Sequence, residues 1–282
     1  MNTLQTALSK IEDLRTLPTV YARLCEIMAN PKTTVYDVES VLASDQSSAS
    51  RILRIANSPV YGFSKKVDTI SKAIFYIGFT EVKNLVLAMS VIDIFSPKFH
   101  HTAFNPLDFW KYSIAVGVAN RSIAMLTKAS DSDQRFLAGV LHSIGKMFIY
   151  EHFPNEFSRI IQICNEEKKS MREAEKIVLG FSHQVLGSLI AEKWKLPESV
   201  SNAIKYYHQG VDDRGRIDES LASLHLSCIA AQCLKIGNSG EFIIEKPNSS
   251  VYKFLKLSVG DFQKALDIVE SESKYAFMAI NI

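Results

Sequence analysis

Apolar residues recur every three or four positions along nearly the whole chain, broken by proline, glycine and capping residues, and no stretch alternates with period two. That pattern admits amphipathic helices packed on one another and excludes a sheet. Val20, Leu24, Ile27 and Met28 share a face over Thr19–Ala29, and Asn30-Pro31 stops that helix. Thr34 precedes Asp37 by three residues, a capping box that opens a helix to Ala43. Gln46–Ala56 repeats the pattern, and Asn57-Ser58-Pro59 and Gly62 break it. Thr69 or Ser71 caps a helix to Ile77, Gly78 stops it, and Phe79–Phe95 is long and apolar.

The loop Ser96–Pro106, with the pair His100-His101, marks a boundary between two helical parts. Beyond it the spacing predicts helices over Leu107–Leu126, from Asp131 or Ser132 through His142 and Lys146 to Tyr150, and onward from Pro154. Further helices follow: Met171–Leu179 capped by Ser170, one to Lys195 capped by Ser182, one from Pro197 to His208, Glu219–Ile236 and Val259–Ser271. Gln209–Asp218 is a polar loop, and Glu241–Glu245 is an extended pairing or a loop. The fold class is all-α.

Lys plus Arg is 32 against 30 for Asp plus Glu, and the basic runs are only pairs, Lys65-Lys66 and Lys168-Lys169. No nucleic-acid surface is expected from that balance. Cys25, Cys164, Cys228 and Cys233 form no CxxC pair and fit reduced thiols. The first fifteen residues lack the basic start and apolar block of a signal peptide, and no span of about eighteen apolar residues stands out. A cytoplasmic protein is expected.

His142, His183 and His208 lie on inward faces of three helices. Each alone reads as a hydrogen-bonded core residue; together they admit a shared pocket. Ala138, Gly139 and Gly145 around His142 permit close approach of a helix or a ligand. Tyr206-Tyr207 and Phe109-Trp110 are either core or the lining of a nucleotide-sized site, and Lys146 either meets a phosphate or ends a helix near solvent.

The ordered motifs carry a resemblance. Leu17-Pro18-Thr19, Val41-Leu42-Ala43-Ser44-Asp45, Arg51-Ile52-Leu53-Arg54-Ile55-Ala56-Asn57-Ser58 and Ala73-Ile74-Phe75-Tyr76-Ile77-Gly78 resemble the amino half of the HDOD domain. Phe109-Trp110-Lys111-Tyr112-Ser113, Gly139-Val140-Leu141-His142-Ser143-Ile144-Gly145-Lys146, Gly180-Phe181-Ser182-His183 and Trp194-Lys195-Leu196-Pro197 resemble its second half. The resemblance covers residues 10–210, divided into 10–96 and 106–210, with 211–282 as a helical extension that completes the fold.

The family is similar in fold to the HD-superfamily metal-dependent phosphohydrolases, generally departs from their metal motif, and has members in bacterial signalling that act as interaction modules. Carried across, the superfamily's first histidine falls on Tyr112, its histidine-aspartate pair on His142 and Ser143, its two further histidines on His183 and His208, and its closing aspartate near Cys228. Hard divalent ions want oxygen donors, and a serine hydroxyl, a protonated phenol and a thiol are poor substitutes for carboxylates.

The resemblance therefore implies a non-catalytic regulator with no cofactor, which binds other signalling proteins, with motility or cyclic-dinucleotide signalling as the setting. Arg51, Arg54 and Asn57 are the expected interaction surface. Two alternatives stand beside it. One is a metal-dependent phosphohydrolase or cyclic-dinucleotide phosphodiesterase with a divalent metal on His142, His183 and His208. The other is a sensor that binds a metal or nucleotide without turnover. Nothing in the sequence fixes an oligomeric state.

Overall fold

The computed structural model describes residues 3–59, 61–95, 104–129 and 131–280. His100-His101 and most of the expected boundary loop lie outside them. The described residues form fifteen helices and no strand.

The amino-terminal part comprises α1 (Thr3–Glu12), α2 (Thr19–Met28), α3 (Val35–Ala43), α4 (Gln46–Ala56) and α5 (Ile70–Ile94). The Thr34 and Thr69 caps act as the sequence predicts, and Asp45 adds one it did not name. Thr34 and Asp37 make the reciprocal capping box of α3, Asp45 caps α4, and Thr69 accepts from the Lys72 N–H at the start of α5. Gly78 breaks α5 with φ +83°, a left-handed conformation that glycine adopts without a Cβ clash. By length and composition α5 passes as a membrane span, which the sequence reading did not expect, but 67% of that window is buried in the fold. Glu81 and Asn84 are buried within it, so α5 is a core helix here.

The second part comprises α6 (Pro106–Leu126), α7 (Ser132–Leu141), α8 (Ile144–His152), α9 (Pro154–Glu167), α10 (Met171–Leu179), α11 (His183–Lys193) and α12 (Glu198–Tyr206). After it come α13 (Glu219–Cys233), α14 (Ser249–Leu255) and α15 (Val259–Ile280). The helix expected from Asp131 to Tyr150 is two helices, because the chain leaves helical geometry at Ser143 (φ −125°, ψ 33°). α15 runs nine residues past its expected end at Ser271: its apolar stripe Ala265, Val269, Ala276 and Ile280 continues beneath a polar stretch.

α6 is the axis of the molecule, packed by α7, α13 and α15. α15 also packs on α4, and α5 packs on α7, so the two parts share one core. α1 is laid across the second part: Lys10 donates to the His152 carbonyl at 2.8 Å, and the Trp194 indole N–H donates to the Arg15 carbonyl at 3.0 Å.

Candidate functional site

The break between α7 and α8 aims His142 into the centre of the second part. Gly145, one turn on, lets α8 touch α11 backbone to backbone; a Cβ there would lie 1.9 Å from the His183 carbonyl oxygen. The small residues near His142 thus serve helix approach rather than a ligand. The same contact brings His183, the first residue of α11, beside His142.

The three histidines converge around Tyr207, which follows α12. The Tyr207 ring meets His142 edge-on at 4.6 Å between centroids, His208 at 5.0 Å and His183 at 6.0 Å. Tyr112, from α6, lies 5.8 Å from His142, and its hydroxyl points at the Cys228 carbonyl at 3.5 Å. Tyr112, His142, Ser143, His183 and Cys228 are buried and His208 is nearly so.

Most of these groups are engaged within the protein. The His142 Nδ1–H donates to the Gly139 carbonyl at 2.6 Å, and burial lowers this imidazole to about 3, so it is neutral. His183 Nδ1 lies 2.7 Å from Glu175 Oε2, and its Nε2 lies 2.6 Å from the Tyr207 hydroxyl. Burial pushes the Glu175 carboxyl up to about 8 and holds His183 well below its usual value, so one proton is shared between them without net charge. Burial raises Tyr112 and Tyr207 well above the ordinary phenol and pushes the Cys228 thiol up to about 12. His208 Nδ1 lies 3.6 Å from Glu245, while its Nε2 and the Ser143 hydroxyl are buried without a hydrogen-bond partner.

The sequence pattern missed two groups here altogether, Glu175 and Glu241, and misjudged a third. Lys146 is not at a solvent-facing helix end. It is 2% exposed, and its ammonium donates to Glu241 Oε1 and to the Ser239 carbonyl, each at 2.9 Å. Glu241 also accepts the Met171 N–H at 2.7 Å. Burial alone would raise the Glu241 carboxyl, but Lys146 and that N–H outweigh it and hold it low. Glu241–Glu245 is the loop of the two expected alternatives, and it turns the Glu241 side chain inward while Phe242 and Ile244 face outward. The carboxylates absent from the motif positions do exist here, but α10 and this segment supply them and a histidine and a lysine consume them. The sequence signal was a lone charged residue between Gly240 and Phe242.

This donor set does not fit a divalent metal. Among the described residues no grouping of His, Cys, Asp and Glu side chains is placed to hold one. The Lys146 ammonium holds the Glu241 carboxylate, and the hollow beside it is about 30 Å³, next to a second of about 230 Å³ that shares Tyr112, Gln232 and Glu241. Phe109 and Trp110 are plain core.

Of the expected surface, Arg51 and Arg54 lie on α4, and Asn57 is the residue that ends it. Arg51 grips the Asp93 carboxylate with both oxygens within 3.0 Å. The Asn57 side chain staples the turn, donating to the Leu53 and Val67 carbonyls and accepting the Val67 N–H. Arg54 and Asn57 are exposed and Arg51 is half-buried.

A family model described as the HDOD domain matches residues 14–210. Among solved structures, a candidate phosphohydrolase from Shewanella amazonensis SB2B aligns at TM-score 0.75 with 23% identity, covering 97% of each chain. A candidate signal transduction protein from Marinobacter aquaeolei VT8 aligns at 0.77 with 21% identity, covering 99% of this chain and 64% of that one. An HDOD domain protein of unknown function from Geobacter sulfurreducens aligns at 0.67 with 24% identity, covering 99% and 94%. An uncharacterized protein of Treponema pallidum (strain Nichols) is 22% identical over 201 residues, and the chain spans 38% of its length.

Proposed function

The chain belongs to the HDOD family, and from that premise we propose that it is a non-catalytic regulator of bacterial signal transduction that acts by binding other signalling proteins. Motility and cyclic-dinucleotide signalling are the settings we propose for it. The observation that carries this reading is the buried Lys146–Glu241 ion pair, whose two side chains are 3% and 6% exposed. Metal-assisted hydrolysis needs a well-held ion with an open coordination position. Here the Glu241 carboxylate, a group able to bind a metal, is paired with the Lys146 ammonium instead. His183 has both ring nitrogens engaged within the protein, by Glu175 and by the Tyr207 hydroxyl, and His142 has its Nδ1 held by the Gly139 carbonyl, which supports a structural role for the two.

The test is metal content of the untagged protein, purified without added metal, with phosphodiesterase turnover measured on the same sample. The expected result is less than stoichiometric metal and no turnover. Stoichiometric metal with turnover abolished by His142→Ala would overturn the reading.

A further inference from the structure

The segment after α13 crosses the hollow beside the histidine cluster, and it is tied down firmly only at two points. Glu241 is the first anchor: it accepts from the Lys146 ammonium at 2.9 Å and from the Met171 N–H at 2.7 Å. Asn248 is the second: its N–H donates to His225 Nε2 at 3.0 Å, and its side-chain amide donates to the Gln209 carbonyl at 3.1 Å. Between these anchors no backbone N–H or carbonyl of residues 242–246 hydrogen-bonds to another described residue.

What lies under this span is a hollow instead of packed side chains. Ile243 and Glu245 line it together with Tyr112, Tyr207, His208 and Cys228 of the helical body. The span makes one charged contact, 3.6 Å from Glu245 to His208 Nδ1. It buries no side chain fully: Ile243 is half-buried, and Phe242, Ile244, Glu245 and Lys246 are exposed. A segment with so few buried apolar contacts and an unpaired backbone opens at far lower free energy than the core. The anchors are costlier to break, because releasing Glu241 strands the buried Lys146 ammonium. The closed state also carries a defect, since His208 Nε2 is buried without a hydrogen-bond partner. Letting water reach that nitrogen offsets part of the cost of opening.

We propose that residues 242–246 form a flap that lifts on Glu241 and Asn248 while the helices stay folded, and that it gates access to the hollow beside the histidine cluster. This goes beyond the proposed function and holds whether or not the chain is catalytic.

The chain carries its own reporters. Cys233 is exposed, Cys228 lines the gated hollow, and Cys164 is buried on α9 and does not line it. The full chain is treated with excess iodoacetamide across a urea series below its unfolding transition, and each thiol is followed by peptide mass spectrometry. Cys233 should react fastest and Cys164 slowest, with Cys228 between them and at least about tenfold ahead of Cys164. The Cys228 rate should hardly change with urea, because lifting the flap exposes little surface, whereas the Cys164 rate should climb steeply. Ile243→Gly combined with Glu245→Ala removes the span's remaining ties and should speed Cys228 by about tenfold while Cys164 tracks global stability. Cys228 reacting at the Cys164 rate with the same urea slope would mean that the hollow opens only when the whole fold does, and would overturn the flap. Cys228 as fast as Cys233 would overturn the closed gate. A Cys228 rate indifferent to the double substitution would overturn the assignment of residues 242–246. The wild-type urea slopes decide the matter even if the double variant fails to fold.

Discussion

At the scale of single residues, the cluster combines groups whose proton affinities have moved in opposite directions, and stability should record this. His142 titrates near 3 in the fold against 6.5 ordinarily, so its contribution is complete above pH 6.5 and is lost as pH falls toward 3. Its full size is on the order of 5 kcal/mol. Glu175 and His183 act as a pair. Between pH 4.5 and 6.5 the unfolded chain holds one proton on His183 and the folded chain holds one near Glu175, so the pair adds no slope. Above pH 6.5 the unfolded pair is bare while the folded pair keeps its proton up to about 8, so stability falls with rising pH. Urea denaturation across pH 4.5–8.5 should therefore give a maximum near pH 6.5. His142→Gln should flatten the acid limb, leaving the slope from the depressed His152 and His225, and Glu175→Gln should remove the alkaline limb. A monotonic wild-type profile would contradict this assignment. Lys146 makes a second prediction. Lys146→Met strands the Glu241 carboxylate in the interior and should cost about 3–5 kcal/mol. Adding Glu241→Gln removes the stranded charge and should recover most of that loss in the same denaturation assay.

At the scale of elements, the caps and breakers were legible because each acts within a few residues. Thr34 with Asp37 and the Ser170 cap of α10 behave as the sequence predicts, but Ser182 makes no side-chain cap on α11, where the Glu175 carboxylate takes the His183 N–H instead. The break at His142-Ser143 was not legible: neither residue is a strong breaker, and the apolar period runs straight through. Its cause is tertiary, the demand that α8 lie against α11. The convergence of His142, His183 and His208 was foreseen only as an option, and Glu175 and Glu241 not at all, because a buried carboxylate in sequence looks the same as a solvated one. Gly145 tests the tertiary cause. Gly145→Ala puts a methyl group 1.9 Å from the His183 carbonyl, where backbone rather than a flexible side chain must yield. The expected loss is about 3 kcal/mol or more. Gly260→Ala, also on a helix but with its nearest neighbour at 3.7 Å, should be neutral or slightly stabilising. Equal midpoints for the two variants would show that α8 and α11 are not held in backbone contact.

For the whole molecule, the family match ends at residue 210, yet the fold does not. α13 covers α6 and carries Cys228 against Tyr112, and the segment after α13 supplies Glu241 to Lys146. α15 then returns across α6 to α4, burying Ala265, Val269, Ala276 and Ile280. A second, smaller core around Ile123, Leu226, Val251 and Leu257 exists only because these last helices are present. A chain ended at residue 210 would expose the apolar faces of α6 and leave Lys146 buried or flooded without its carboxylate. Exposed apolar surface at about 25 cal/mol per Å² removes more than a marginal fold can lose. The 1–210 fragment should therefore bind a hydrophobic dye and lose its cooperative thermal transition, whereas residues 1–280 should melt as a single unit. A fragment 1–210 that melted cooperatively near the full chain's midpoint would mean that α13 and α15 decorate the domain instead of completing it.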